Sequence, residues 1–444
     1  MKKTSTLHID LPILSLSREQ HELFHQIEET KNHYLIQGQA GTGKSTFIKY
    51  LFEHSSKRIR ILCPTAIAAL NIAGVTIHSL FRLPLSDYIV KEQVEIKKKT
   101  INILKKTDII VIDEISMVRP DIIDTMDYIL KQARGDFSPF GGVQMVFVGD
   151  LCQLPPVIKQ TTSHIFKQRY GIAEPYFFDA KSFKMASFCF KEFKKVYRQS
   201  DDVLLKQLSN IREKKNLNEA LHLFNKAKFE NEDDLKTAIT ITPYRLIADK
   251  INQMRLAHIP SDEKTYEAKA KGAFEKALDT PAPKSLTLKV GALVIFNKNN
   301  PPSFINGSMG EVIDLQREYL KVRLLQNNKI ITVGKEIWQS FSYEYDAKTD
   351  TVLEKETGSF EQFPIQLGYA LTIHKAQGKT LDKVIIDTNK GAFAHGQMYV
   401  ALSRTRKLKD IHLTKDIKPQ DIILDTRVLD FLEQMHKITT QLEG

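Results

Sequence analysis

The segment GQAGTGKST, residues 38–46, constrains this chain more than any other stretch. It reads Gly38-x-x-x-x-Gly43-Lys44-Ser45, preceded by the apolar run Tyr34-Leu35-Ile36. After it, Phe47, Ile48, Leu51 and Phe52 recur on one face of a helix-like segment. A strand, a glycine-rich loop and a helix in that order make a cradle for phosphate. Glycines let the backbone curl so that successive N–H groups face one anion, at the positive end of the following helix. Lys44 then reaches the β- and γ-phosphates, and the Ser45 hydroxyl takes a place on Mg²⁺. Gly38, Gly41, Thr42, Gly43 and Thr46 complete the expected cradle. The expected ligand is ATP with Mg²⁺.

A chain of 444 residues is long enough for two or three domains, each with its own core. Its 64 basic residues exceed its 53 acidic ones, for a net charge of +11. That excess suits a polyanionic partner, and it also suits a lysine-rich surface that is merely solvated. Cys63, Cys152 and Cys189 are few, odd in number and far apart. This argues against a disulfide framework or a zinc site and for a reducing compartment. No signal-peptide pattern is evident, and no apolar run approaches the roughly eighteen residues of a membrane span. The expectation is a cytoplasmic bacterial protein, or a nuclear or mitochondrial one in a eukaryote, with no membrane partner.

Up to about residue 195, β-rich runs at 34–36, 59–62, 109–112 and 145–148 alternate with helical segments. Thr65 is placed to cap a short helix over 66–73, and Pro120 to open a helix carrying Ile122, Met126, Ile129 and Ala133. Such alternation predicts a doubly wound α/β domain with its ligand at the strand C-termini. The lysine-rich stretch 80–106 reads as a small insertion outside the sheet. A second α/β pattern starts at 238–242, pauses, resumes at 384–387 and ends in a helix near 427–440. The pause, residues 287–365, holds short alternating runs and Asn/Gly turns, the pattern of a small β-barrel inserted in the second domain. No internal repeat stands out.

A phosphate loop alone does not distinguish a kinase from a motor. Asp113 and Glu114 follow the apolar run Val111-Ile112 at a strand end. There Asp113 can hold the Mg²⁺ shell and Glu114 can polarise the attacking water. Gln153, in GDLCQLPP after the run 146–148, is placed to sense the γ-phosphate. Arg198, in VYRQ, and Arg404, in YVALSR, are placed to neutralise charge on the transferred phosphoryl group from the second domain.

In order, residues 38–46, 63–81, 111–118, 139–157, 197–199, 306–312, 371–380 and 399–405 resemble the motif series of superfamily-one helicases. The series is most similar to the Pif (petite integration frequency) family of 5′-to-3′ DNA helicases, in a compact bacterial-type form. PFGGVQMVFVGDLCQLPPV, YRQ and LTIHKAQGKT carry most of the likeness. The resemblance implies two RecA-like domains, residues 1–195 and 196–286 with 366–444, and an SH3-like barrel at 287–365. It implies that Gln20 reads adenine, since a side-chain amide offers a donor and an acceptor together. It makes Arg198 and Arg404 paired fingers and puts Gly378 where the nucleotide meets DNA. It assigns Thr65, His78, Thr372, His374 and Lys375 to contacts with single-stranded DNA, gripping phosphates and sugars without reading sequence. Leu151 and Tyr197 depart from the family pattern as packing swaps, and Arg245 stands where Asn is usual.

The implied activity is ATP-driven translocation 5′ to 3′ and unwinding of forked or structured DNA in genome maintenance. G-quadruplexes and RNA–DNA hybrids fall within the family's range, although no residue here argues for them. Residues 80–106 are the candidate wedge, and Trp338, Phe341, Tyr343 and Tyr345 either stack on bases or pack a core. A monomer is expected, with dimerisation on DNA left open. The alternatives are a nucleotide-gated single-strand clamp, a superfamily-one RNA helicase, and a translocase subunit of a recombination complex.

Overall fold

Apolar runs buried on both faces become the strands of a parallel sheet, because helices cover both sides. The computed structural model describes residues 16–443 apart from 66–67, 70–71, 85, 198, 200, 230–232, 278–279, 301, 347–350 and 389–390. Six strands form the first sheet: β1 (His33–Gly38), β2 (Ile59–Cys63), β3 (Val75–Thr76), β4 (Ile109–Ile112), β5 (Gln144–Gly149) and β6 (Phe188–Phe193). They lie in the order β3-β2-β4-β5-β1-β6, with every neighbour parallel. All four residues of β4 and all six of β5 are buried. Ile36, Ile61, Val111 and Val148 pack with Phe47 on one face, while Leu35, Ile110, Ile112 and Phe147 pack with Met126 on the other.

The helix Pro120–Arg134 starts on its proline and stops at Gly135, whose φ of 65° is the left-handed ending a helix favours. Residues 80–106 contribute no described strand. They include the helix Lys98–Lys105, whose Ile103 and Leu104 enter the same core as Leu83 and Ile89. Asp121 accepts the Ile89 N–H at 2.9 Å, so this segment is anchored rather than free-standing.

The second sheet begins with β7 (Ile239–Thr242). The chain then leaves through β8 (Glu263–Glu267), β9 (Lys269–Gly272), β10 (Ser285–Lys289), β11 (Leu293–Phe296), β12 (Met309–Leu315) and β13 (Tyr319–Leu324). It continues with β14 (Ile330–Gly334), β15 (Glu336–Asp346), β16 (Thr351–Gln362) and β17 (Ile365–Leu367). It returns as β18 (Ala370–Thr372), β19 (Val384–Ile386) and β20 (Ile411–Leu413), which with β7 form the parallel sheet β18-β7-β19-β20.

The excursion is antiparallel and falls into three sheets, β14-β13-β12-β11-β17, β10-β8 and β15-β16-β9. Tyr266 and Leu286 share a core with Phe296, Val312 and Phe363, so the module takes in residues from β8 onward. β15 and β16 form a long hairpin with a sheet of its own, and β15 lies against the helix Lys98–Lys105. Trp338 is buried with Phe360 and Phe274, which settles it as a packing residue. Phe341 is partly buried against the main core, and the side chains of Tyr343 and Tyr345 lie outside those described.

The terminal helix Thr426–Glu443 crosses back to the first sheet. Phe431 stacks on Phe178 with centroids 4.3 Å apart, and His436 Nε2 meets Glu192 Oε2 at 3.0 Å. The chain thus straps its second half to its first.

Candidate nucleotide cleft

Parallel strands put all their C-terminal ends on one edge, and the loops leaving that edge build the site. β1 ends at Gly38, and the loop turns into the helix Lys44–His54 through Gly41 and Gly43, at φ of 86° and 84°. A Cβ on Gly38 would stand 2.5 Å from Thr42 Oγ1, so a side chain there would displace the hydroxyl that donates to Gln39 O. Lys44 Nζ donates to Gly38 O at 2.7 Å and to Gln39 O at 2.8 Å, holding the ammonium over the loop. Gln20 is buried beside it: its Oε1 accepts the Ser17 N–H at 3.0 Å and its Nε2 donates to Thr42 O at 3.3 Å. Each of these two atoms keeps one further hydrogen-bonding position.

β4 delivers the acidic pair. Asp113 is buried and its Oδ1 accepts the Glu114 N–H at 2.9 Å. Burial, then the neighbouring Glu114, pushes the Asp113 carboxyl up to about 7, against the pull of Lys44. Glu114 turns in the left-handed region at φ 53°, and burial raises its pKa as well. Gln377, from the second half of the chain, donates its Nε2–H to Glu114 Oε2 at 3.2 Å. Sequence reading passed over Gln377 because nothing local distinguishes it from its neighbours in LTIHKAQGKT.

β5 leads to Asp150, a fully buried carboxylate with donors on both oxygens. Gln37 Nε2 and the Cys152 N–H reach Oδ1 at 3.1 and 3.2 Å, while Gln153 Nε2 and the Tyr399 hydroxyl both reach Oδ2 at 3.1 Å. Arg212 Nε stands 3.6 Å from Oδ1. His395 Nε2 meets Leu151 O at 2.9 Å while its Nδ1 accepts the Asp425 N–H at 3.0 Å. A carbonyl only accepts, so the proton sits on Nε2 and the ring is neutral, in keeping with a pKa lowered by burial.

The second sheet supplies the facing wall. Arg404 is fully buried, and its guanidinium donates to Val400 O, Ala376 O, Lys379 O and Ser403 Oγ. Gly378 sits beside it at φ 77° with open space where a Cβ would be. Tyr197 is half exposed, donates its N–H to Gly41 O at 2.8 Å and lines the cleft, so it is not the packing swap the sequence suggested. Arg198 lies outside the described residues, but the next residue, Gln199, donates to Ser403 O at 3.2 Å. Together Gly41, Gly43, Lys44, Ser45, Thr46, Asp113, Glu114, Gln153, Tyr197, Gly378 and Arg404 line an open cleft of about 320 Å³.

The donor set fits Mg²⁺ with a polyphosphate. No group of three or more His, Cys, Asp or Glu is arranged for a metal among the described residues. Ser45 and Asp113 supply one hydroxyl and one carboxylate, the sparse set Mg²⁺ uses when substrate phosphates complete its shell.

A PIF1-like helicase family model matches residues 15–222. ATP-dependent DNA helicase Pif1 of Bdellovibrio bacteriovorus is 31% identical over 431 residues, 95% of this chain and 92% of that protein. The chain belongs to the PIF1-like helicase family. ATP-dependent DNA helicase PIF1 of Homo sapiens is 30% identical over 90% of this chain, which covers 61% of that longer protein. The structure of Bacteroides sp Pif1 with ADP-AlF4 superposes with a TM-score of 0.86 at 34% identity, covering 95% of this chain and 97% of that one. Bacteroides Pif1 bound to ssDNA gives 0.67 at 36% identity, again over 95% and 97%.

The residues that the PIF1-like resemblance assigns to DNA lie on the same strand edges. Thr65 is exposed after β2, and its Oγ1 accepts the Ala68 N–H at 3.2 Å; residues 66–67 and 70–71 of the expected helix lie outside those described. Thr372 caps the short helix Ile373–Ala376 after β18 by accepting the Lys375 N–H at 3.3 Å, and exposes His374 and Lys375. Thr76 does the same after β3 for the helix Ile77–Phe81, accepting the Ser79 N–H at 3.1 Å, with His78 two residues on. Thr76-Ile77-His78 and Thr372-Ile373-His374 thus make the same cap at an edge strand of each sheet. Among the described residues no helix is long and apolar enough to cross a membrane.

Proposed function

We propose that this chain is an ATP-dependent DNA helicase that moves 5′ to 3′ along single-stranded DNA. The observation that carries this reading is the two-sided cleft, with Lys44, Ser45, Asp113, Glu114 and Gln153 on one wall and Gly378 and Arg404 on the other. ATP in this cleft is gripped by Lys44 and the loop N–H groups, with Gln20 at the adenine edge and Ser45 and Asp113 toward Mg²⁺. When bound, Mg²⁺ neutralises phosphate charge and orients the γ-phosphoryl group. Glu114 takes a proton from the attacking water, Gln153 senses the γ-phosphate, and Arg404, with Arg198, stabilises the transferred charge.

The two halves are RecA-like units, and ATP favours their closure because both walls touch it. Hydrolysis removes that bridge, so grip alternates between the halves and closure becomes movement. Thr65 and His78 hold the strand on the first half; Thr372, His374 and Lys375 hold it on the second. The antiparallel module is an SH3-like barrel, extended to residues 263–367 by the core it shares, and residues 80–106 with the β15–β16 hairpin against them form the separating wedge. The working unit is a monomer that can pair on forked DNA. A clamp without unwinding is the weaker reading, because a clamp has no use for Glu114 poised beside the phosphate loop.

The test is ATP-dependent unwinding of two matched duplexes, one with a 5′ single-stranded tail and one with a 3′ tail, with Lys44→Ala as the control. Unwinding from the 5′ tail alone supports motor and polarity. Unwinding from the 3′ tail alone overturns the polarity, and hydrolysis stimulated by DNA without unwinding favours the clamp or translocase.

A further inference from the structure

The inserted β-module reaches the nucleotide cleft through the turn between β11 and β12. That turn carries Asn306 and Gly307 and rests on residues 379–380. Lys379 Nζ donates to Asn306 Oδ1. Gly307 has φ +97°, and a Cβ there would stand 2.5 Å from Thr380 O, so a glycine is what lets the two backbones close. Lys379 is a costly residue to place here. Burial, with the charge of Lys375 adding to it, brings its ammonium down to about 8. A buried ammonium needs an acceptor, and the Asn306 carbonyl provides one.

The other side of the same segment belongs to the cleft. Arg404 Nη1 donates to Ala376 O and Lys379 O, both at 3.2 Å, and the Leu381 N–H donates to Arg404 O at 2.9 Å. Gln377 reaches Glu114 from this turn. Through the backbone of residues 376–379, these hydrogen bonds join a loop of the β-module to Glu114 and to Arg404.

We propose that Asn306, acting through Lys379, is a positioning residue for ATP hydrolysis, holding the turn that presents Gln377 to Glu114 and anchors Arg404. The rate of hydrolysis thus depends on where the β-module stands against the second sheet. Gln326 Nε2, which donates to Asp382 Oδ2 at 3.0 Å, is a second, exposed link between the same two parts. The inference rests on the ATPase reading of the cleft.

The experiment is steady-state ATP turnover by the full chain with saturating oligothymidylate, beside oligothymidylate affinity and thermal unfolding. Asn306→Ala is expected to lower kcat about tenfold while KM for ATP and oligothymidylate affinity stay within about twofold. Asn306→Asp keeps an oxygen acceptor for Lys379 and is expected to restore kcat to within about twofold. An unchanged kcat in Asn306→Ala overturns the proposal. So does a loss of oligothymidylate affinity equal to the loss in kcat, which would make Asn306 a DNA contact. Equal losses in both variants with a lowered melting temperature overturn it as well, since the turn would then be a folding element only. Absence of turnover in the wild type would overturn the ATPase reading itself, a result distinct from wild-type turnover with Asn306→Ala unaffected.

Discussion

The Tyr399 hydroxyl donates to Asp150 Oδ2 at 3.1 Å, and Gln153 donates to that same oxygen at the same distance. Tyr399 comes from the helix Gln397–Leu402 of the second half, Asp150 from the end of β5 in the first. One buried carboxylate thus holds both Gln153, the proposed γ-phosphate sensor, and a tyrosine of the second half.

Removing one of its donors has a defined cost. Tyr399→Phe leaves Asp150 buried with Gln37, Cys152 N–H and Gln153 as its hydrogen-bond donors. The expected loss is about 1–3 kcal/mol of stability, measured by urea unfolding. No loss would mean that Gln153 and Arg212 satisfy Asp150 without help from the second half.

Lys44→Ala is expected to abolish ATP turnover and leave single-strand binding largely intact, read by oligothymidylate anisotropy beside phosphate release. Unchanged turnover would dissociate the phosphate loop from catalysis.

Arg404 separates binding from chemistry. Arg404→Ala is expected to cut kcat by about a thousandfold while ATP affinity falls far less, if its charge acts on the transferred group as proposed. Four of its present contacts are to groups of its own half, so the variant also loosens the turn at Ala376 and Lys379. Equal losses in kcat and affinity would make it a binding residue.

Asp113 carries a pH signature. An unfolded aspartate ionises near pH 4, whereas this one is raised to about 7 by burial and by Glu114. The folded state holds the proton more tightly, so this group favours folding below the unfolded value and loses that contribution as pH rises through about 7. Asp113→Asn is therefore expected to raise the melting temperature of the nucleotide-free chain at pH 8 and change it little near pH 3.5, while abolishing turnover. A variant that melts lower at pH 8 would show that the ionised carboxylate is stabilised.

How much of this was legible in the sequence depends on whether the interacting residues are neighbours along the chain. The phosphate loop, the strand ends before Asp113 and Gln153, and the proline start of the helix Pro120–Arg134 are local patterns. Each is set by backbone preference or by apolar residues recurring at the period of one element. The doubly wound reading of both halves followed from them, as did the terminal helix.

Partners far apart in the chain were not legible. Gln377 meets Glu114 across 263 positions and Tyr399 meets Asp150 across 249, and no spacing rule reaches that far. Alternation marked the strands of the inserted module but not their partners, because a two-residue period fits any neighbouring strand equally well. Hence the long β15–β16 hairpin and the entry of β8 and β10 into the module's core came only from the folded chain. The terminal helix shows the same division. Its apolar face was written in its period, but that it covers β6 of the first sheet was decided by Phe431 meeting Phe178 in three dimensions. Sequence alone determined which chemistry this chain carries, since each motif is a local device. Tertiary structure decided which devices face one another, since burying apolar surface from both halves at once is a property of the whole fold.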